Sequence, residues 1–277
     1  MNPVRLICLD LDGTLIGVLN EVHPRVWEAA ARARTAGLHL AICTGRPALG
    51  QTRAYAEQLD PTGWHIFQGG ASLVNLGDGH GMSEALPAHA LGGLRQLRQE
   101  RGWVLELYSN QDYVCDQAAD GSEAARLAIA HAHLLKLDYA ARPLDSLQGE
   151  VVRAQWVVSD QQLPEVMATA LEGVHYASAT SPSVPGVHFV SVTAPGVDKC
   201  SAIRRLAQDV IGCGLEQTMM VGDGLNDLSA MELVGYPVAM ANGEPELQQV
   251  CRYRAGHVND GGAADAIDLA LKINQEV

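Results

Sequence analysis

Short apolar runs, each ending in a cluster of small and polar residues, mark both ends of the chain. Val4 to Leu9 is a compact apolar run broken at once by Asp10-Leu11-Asp12-Gly13-Thr14, which predicts a buried strand delivering side chains at its carboxyl end. Pro24 to Thr35 carries apolar positions at helical spacing and is closed by Gly37, a helix ending in a C-cap. A second run, Leu38 to Cys43, ends in Thr44-Gly45-Arg46-Pro47, where Pro47 suits the first turn of another helix. Strand, polar loop and helix alternate again near the other end. Thr218 to Val221 enters Gly222-Asp223-Gly224-Leu225-Asn226-Asp227, Leu228 to Val234 reads as a helix, Pro237 to Met240 as a strand and Pro245 to Val250 as a helix.

This alternation predicts right-handed βαβ units on a parallel sheet, with the polar loops gathered in one crevice at the carboxyl ends of the strands. The middle of the chain differs. Trp103 to Tyr108, Tyr113 to Cys115, Gln155 to Val158 and His188 to Val192 read as strands, and Leu86 to Glu100 and Leu163 to Leu171 as helices. The expected architecture is therefore α/β, a Rossmann-like doubly wound core of residues 1–82 and 193–277. An α+β domain of residues 83–192 is inserted into it, with chain crossings near Ser83 and Val192.

With 47% hydrophobic residues, the chain reads as a globular protein rather than a disordered one. A formal charge of −13 argues against nucleic acid and anionic lipid as partners. The six cysteines, Cys8, Cys43, Cys115, Cys200, Cys213 and Cys251, match no zinc or redox spacing and read as free, mostly buried thiols of a reducing compartment. The apolar run before Asp10 is too short for a signal peptide and no stretch approaches a membrane span, so the expected location is cytoplasmic. No obligate protein partner is indicated.

Two carboxylates two residues apart, Asp10 and Asp12, repel each other unless a cation lies between them or one is protonated. Asp223 and Asp227 put a second acidic loop at another strand end, and convergent oxygen ligands with open positions describe a magnesium site shared with a phosphate. Thr44-Gly45-Arg46 supplies a hydroxyl, loop amides and a helix start able to hold phosphate oxygens. Lys199 opens an apolar-periodic helix, where a cation opposes the macrodipole and so calls for a nearby anion. His131 and His133, two apart on a helix, face different directions and read as structural.

Taken in order, D-x-D-G-T, T-G-R, Lys and G-D-x-x-N-D resemble the motifs of the haloacid dehalogenase superfamily, in particular its Cof-type branch with a large α/β cap. The likeness extends to Val238-Ala239-Met240-Ala241-Asn242-Gly243 and to Asn259-Asp260-Gly261-Gly262-Ala263-Ala264. The resemblance implies a Mg2+-dependent phosphatase of a small phosphorylated metabolite. Asp10 would be the nucleophile and Asp12 the general acid and base. Thr44, Gly45, Arg46 and Lys199 would hold the phosphoryl group, with a Gly13 amide. Asp10, the Asp12 carbonyl and Asp223 would ligate the metal, with Asn226 and Asp227 ordering the loop, the lysine or metal-bound water. A phosphomutase or phosphotransferase using the same intermediate, or a non-catalytic phosphometabolite-binding protein, are the alternatives. Two departures from the family pattern bear on substrate choice: Gln68-Gly69-Gly70-Ala71 replaces the usual Asn-Gly-Ala, and Phe189-Val190-Ser191-Val192 lacks an acidic residue.

Overall fold

β1 (Leu6–Leu9) is buried at every position, as a strand between two parallel neighbours must be. In this computed structural model, which describes residues 2–17, 19–181 and 184–276, Leu9 is opposite Val221 of β10 (Thr218–Gly222) and Ile42 of β2 (His39–Ile42). With β11 (Tyr236–Ala239) and β12 (Tyr253–Arg254) the sheet runs β12-β11-β10-β1-β2, all pairs parallel. The chain moves from β1 to β2 on one side and later fills the other side from β10 outward. The β1/β10 boundary is thus the switch point where open α/β sheets hold ligands. β3 (Trp64–Phe67) continues beyond β2 through a parallel bridge between Cys43 and Ile66, and pairs antiparallel with β4 (Ser72–Asn75).

Helices cover both faces of this sheet. α1 (Pro24–Thr35) and α9 (Gly262–Gln275) pack together, joined by the Arg25–Asp265 and Arg32–Asp268 ion pairs. α6 (Lys199–Arg205), α7 (Leu228–Leu233) and α8 (Pro245–Val250) bury Ile203, Met231 and Leu247 with Leu6, Cys8 and Met220 in one core. α2 begins only at Gly50 (Gly50–Leu59), not at Pro47. The reason is local: Gly50 has φ of 50°, and the preceding Leu49 N–H closes a turn on the Pro47 carbonyl. The loop expected to hold phosphate oxygens therefore has no helix start beside Thr44.

Contacts divide the chain into two units, separated between Met82 and Ser83 and between Val197 and Asp198; Arg46–Arg53 groups with the second unit. Val192 lies inside a strand, paired with Ala154. The second unit is an antiparallel sheet of β5 (Val104–Tyr108), β6 (Tyr113–Cys115), β7 (Arg153–Ser159), β8 (His175–Ser181) and β9 (Val184–Thr193), in the order β6-β5-β7-β9-β8. α3 (Ala88–Arg101) and α5 (Leu163–Ala168) pack with Leu105, Leu107 and Trp156, while α4 (Glu123–Leu134) packs with Val104, Val157 and Phe189. These alternate along β5 and β7, as the two faces of one sheet require. His131 on α4 is a core residue, its Nδ1 2.8 Å from Glu106 Oε2. All six cysteines are free thiols. No helix among the described residues is long and apolar enough to cross a membrane.

Candidate active site

The Asp10 N–H donates to the Val221 carbonyl, extending the β1–β10 ladder one residue beyond the strand and aiming the chain into the switch-point crevice. The next residues turn sharply, with the Leu15 and Ile16 N–H groups donating to Leu11 and the Gly13 N–H to Ile16. The amide of Gly13, expected to face a phosphate, is therefore engaged inside its own loop. What Gly13 contributes is the lack of a side chain: at φ of 81°, a Cβ there would lie 1.9 Å from Asp223 Oδ2.

Lys199 reaches this point from the first turn of α6. Asp198 caps that helix, accepting the Ser201 N–H at 2.7 Å, and so fixes where the lysine side chain departs. Gly70, with φ of 107°, lets the two backbones approach, since a Cβ on it would sit 2.2 Å from the Asp198 carbonyl oxygen. Lys199 Nζ then donates to Asp10 Oδ1 at 2.5 Å and to Asp227 Oδ1 at 2.7 Å, with all three side chains buried. Burial works against the ammonium, but the Asp10 and Asp227 carboxylates outweigh it and hold its pKa above the ordinary lysine range.

One ammonium does not balance the carboxylates gathered here. Asp10, Asp223 and Asp227 each offer an oxygen, and these oxygens lie within 4.8 Å of one another. Burial pushes the Asp10 carboxyl up, opposed by Lys199 and reinforced by Asp227. Burial, with Asp227 adding to it, also raises Asp223 to about 6, against the hydrogen bond from Thr14 Oγ1 to Asp223 Oδ1 at 3.2 Å. An all-oxygen, partly buried donor set short of positive charge, with the Gly13 backbone drawn close to it, fits a small hard divalent cation.

Thr44 is buried one strand away, beyond the end of β2, its N–H donating to Ile66 and its carbonyl accepting from Gly69. Gly45 follows on the surface, and Arg46 falls in the second unit. The Asp12 side chain is exposed and is not one of the three clustered carboxylates, leaving its backbone carbonyl as the group expected at the metal. Asn226 is exposed, and Gly224 is small because a Cβ there would meet Asn226 Oδ1 at 2.5 Å.

A family model described as haloacid dehalogenase-like hydrolase matches residues 7–267. The chain belongs to that family. Among haloacid dehalogenase-like hydrolases, a crystal structure from Bacteroides thetaiotaomicron superposes with a TM-score of 0.83 at 24% identity, covering 96% of this chain and 99% of its own, so the fold is shared. YxeH of Bacillus subtilis (strain 168) is 25% identical over 269 residues, 95% of this chain and 97% of its own length. YbjI of Escherichia coli (strain K12), named a 5-amino-6-(5-phospho-D-ribitylamino)uracil phosphatase, is 22% identical over 270 residues, 97% of each chain.

Three residues of this hydrolase site escaped the sequence reading. Thr14 was legible only as part of the first motif, Gly70 only as a departure from the family pattern, and Asn242 only as part of a late resemblance. Each acts through a contact to a chain segment remote in sequence, which periodicity cannot register.

Proposed function

We propose that this hydrolase is a Mg2+-dependent phosphatase that cleaves a small phosphorylated metabolite through an aspartyl-phosphate on Asp10. The observation that carries the reading is the Lys199 ammonium held between Asp10 and Asp227, with Asp223 beside them. A nucleophilic carboxylate must face phosphorus while a fixed positive charge offsets the phosphoryl oxygens, and this arrangement supplies both in a buried setting. Relatives with phosphatase names that align over nearly the whole chain support the same reaction class.

Asp10, Asp223 and the Asp12 backbone carbonyl would hold the cation, with Asp227 either beside it or ordering Lys199. When bound, Mg2+ supplies the positive charge that lets a phosphate dianion approach three carboxylates. An Asp10 carboxylate oxygen forms a bond to phosphorus as the bond to the leaving oxygen breaks. Asp12, protonated, gives its proton to that oxygen. The resulting Asp12 carboxylate then takes a proton from water, whose oxygen attacks phosphorus and releases inorganic phosphate, restoring Asp10. Thr44 and Lys199 hold the phosphoryl oxygens throughout. These groups recognise a phosphoryl group and little else, so substrate choice is assigned to the inserted residues 83–192.

Purified protein given a panel of sugar phosphates, nucleotides and flavin or pyridoxal phosphates should release inorganic phosphate only with Mg2+ present. Borohydride trapping during turnover should convert Asp10 to homoserine, read by peptide mass spectrometry. Turnover that survives exhaustive chelation would remove the metal from this reading. Turnover without a label on Asp10 would remove the covalent intermediate.

A further inference from the structure

Asn242 lies in the loop after β11 and is not one of the three clustered carboxylates, yet its half-buried side chain joins two segments remote from each other in sequence. Its Nδ2 donates to the Gly13 carbonyl at 2.7 Å, and its Oδ1 accepts the Val258 N–H at 2.9 Å. A carbonyl only accepts and an N–H only donates, so the partners fix which end of the amide is which. The same loop also grips Asp223, whose carbonyl accepts the Glu244 N–H at 2.8 Å. Gly243 makes that approach possible, because a Cβ there would be 3.1 Å from the Asp223 Cα.

These contacts close a ring. From Asn242 it passes to Gly13, along the chain to Thr14, by the Thr14 hydroxyl to the Asp223 carboxylate, from the Asp223 carbonyl to Glu244, and back along the chain to Asn242. Asp223 is thereby held at both its backbone and its carboxylate. The carboxylate lies over Gly13, at a position where any Cβ would come within 1.9 Å of Asp223 Oδ2. Asn242 closes the ring through its Nδ2, which donates to Gly13, and its Oδ1 ties the ring to Val258. Alanine offers neither contact, aspartate lacks the donor, and the shorter serine side chain places its single hydroxyl too near the backbone to span both partners as the amide does.

We infer that Asn242 is a positioning residue that aims Asp223 at the cation through this ring and so sets Mg2+ affinity. The inference rests on the metal-dependent reading above. Hydrogen-bonding groups behind a metal ligand typically tune affinity by about 10–100-fold. Asparagine at this position is thus explained by Asp223 rather than by any contact with substrate.

The test is calorimetric titration of Mg2+ into substrate-free wild type, Asn242→Ala, Asn242→Asp and Asn242→Ser, with steady-state kinetics alongside. We expect Mg2+ to bind on the order of tenfold or more weakly in each variant. The loss in kcat should largely recover at saturating Mg2+. Adding Thr14→Val to Asn242→Ala should weaken binding by less than Thr14→Val does alone, because both open the same ring. Mg2+ affinity within about twofold of wild type in any folded Asn242 variant, a kcat deficit that Mg2+ does not repair, or additive effects with Thr14→Val would overturn the inference. So would failure of all three substitutions to fold, which would make Asn242 a stability residue. Absence of Mg2+ binding by wild type would instead sink the metal reading itself.

Discussion

Lys199 Nζ and Asp10 Oδ1 are 2.5 Å apart, although the residues are separated by 189 positions and come from different elements, a strand end and the first turn of α6. Lys199 is also the bond between Asp10 and Asp227, so its removal leaves two buried carboxylates facing each other.

Lys199→Ala should therefore fail in two measurements at once. Breaking a buried pair by deleting one partner costs about 3 kcal/mol or more, read as a lower urea midpoint. Loss of the charge on the phosphoryl group should lower kcat/KM on the order of 10²-fold or more. A variant with wild-type kinetics would place the phosphate contact elsewhere.

Asp10→Asn keeps the shape of the side chain and leaves Lys199 its contact with Asp227, so cooperative unfolding should persist while phosphate release is abolished. Asp12→Asn changes an exposed side chain and should leave stability unchanged while crippling turnover. Residual activity in Asp10→Asn comparable to wild type would end the covalent mechanism.

Gly69 and Gly70 offer a matched comparison, since both have positive φ, 69° and 107°. A Cβ on Gly69 meets nothing within 4 Å, whereas one on Gly70 would strike the Asp198 carbonyl beside Lys199. Gly69→Ala should cost only backbone strain, about 1 kcal/mol, with activity largely kept. Gly70→Ala should destabilise further and lower kcat by displacing the start of α6. Equal effects of the two substitutions on kcat would refute the positioning role of Gly70.

His65 makes stability depend on pH. Its Nδ1 accepts the Ile42 N–H at 3.1 Å and its Nε2 faces the Asp60 carbonyl at 2.9 Å, a pairing only the neutral ring completes. Burial lowers its pKa from 6.5 to about 4. Between those values the unfolded chain binds a proton that the folded chain refuses, so this contribution is fully present above pH 6.5 and is lost as pH falls toward 4. The whole effect is at most about 3 kcal/mol. The difference in urea-unfolding free energy between wild type and His65→Gln should shrink across that window. A difference that stays constant from pH 7 to about pH 4 would show that His65 does not titrate on unfolding.

The parallel core was legible because a strand buried on both faces must be apolar throughout, as Leu6 to Leu9 and Met219 to Val221 are, and because the polar loops after them recur in an order few other folds share. Those loops also named Asp10, Asp223 and Asp227, while a cation at a helix start named Lys199. α9 was not legible: its buried face is largely alanine, which carries little hydrophobic periodicity. β8 was not legible either, because His175–Ser181 is mostly exposed and becomes a strand only by pairing with β9. Local sequence likewise placed a helix start at Pro47, which the backbone at Gly50 defers. What tertiary structure alone decided is which groups meet. The Gly13 amide is satisfied by Ile16, Gly70 makes room for Asp198, and Asn242 closes a ring around Asp223, because distance in space between remote segments is set by packing and leaves no trace in the periodicity of any one of them.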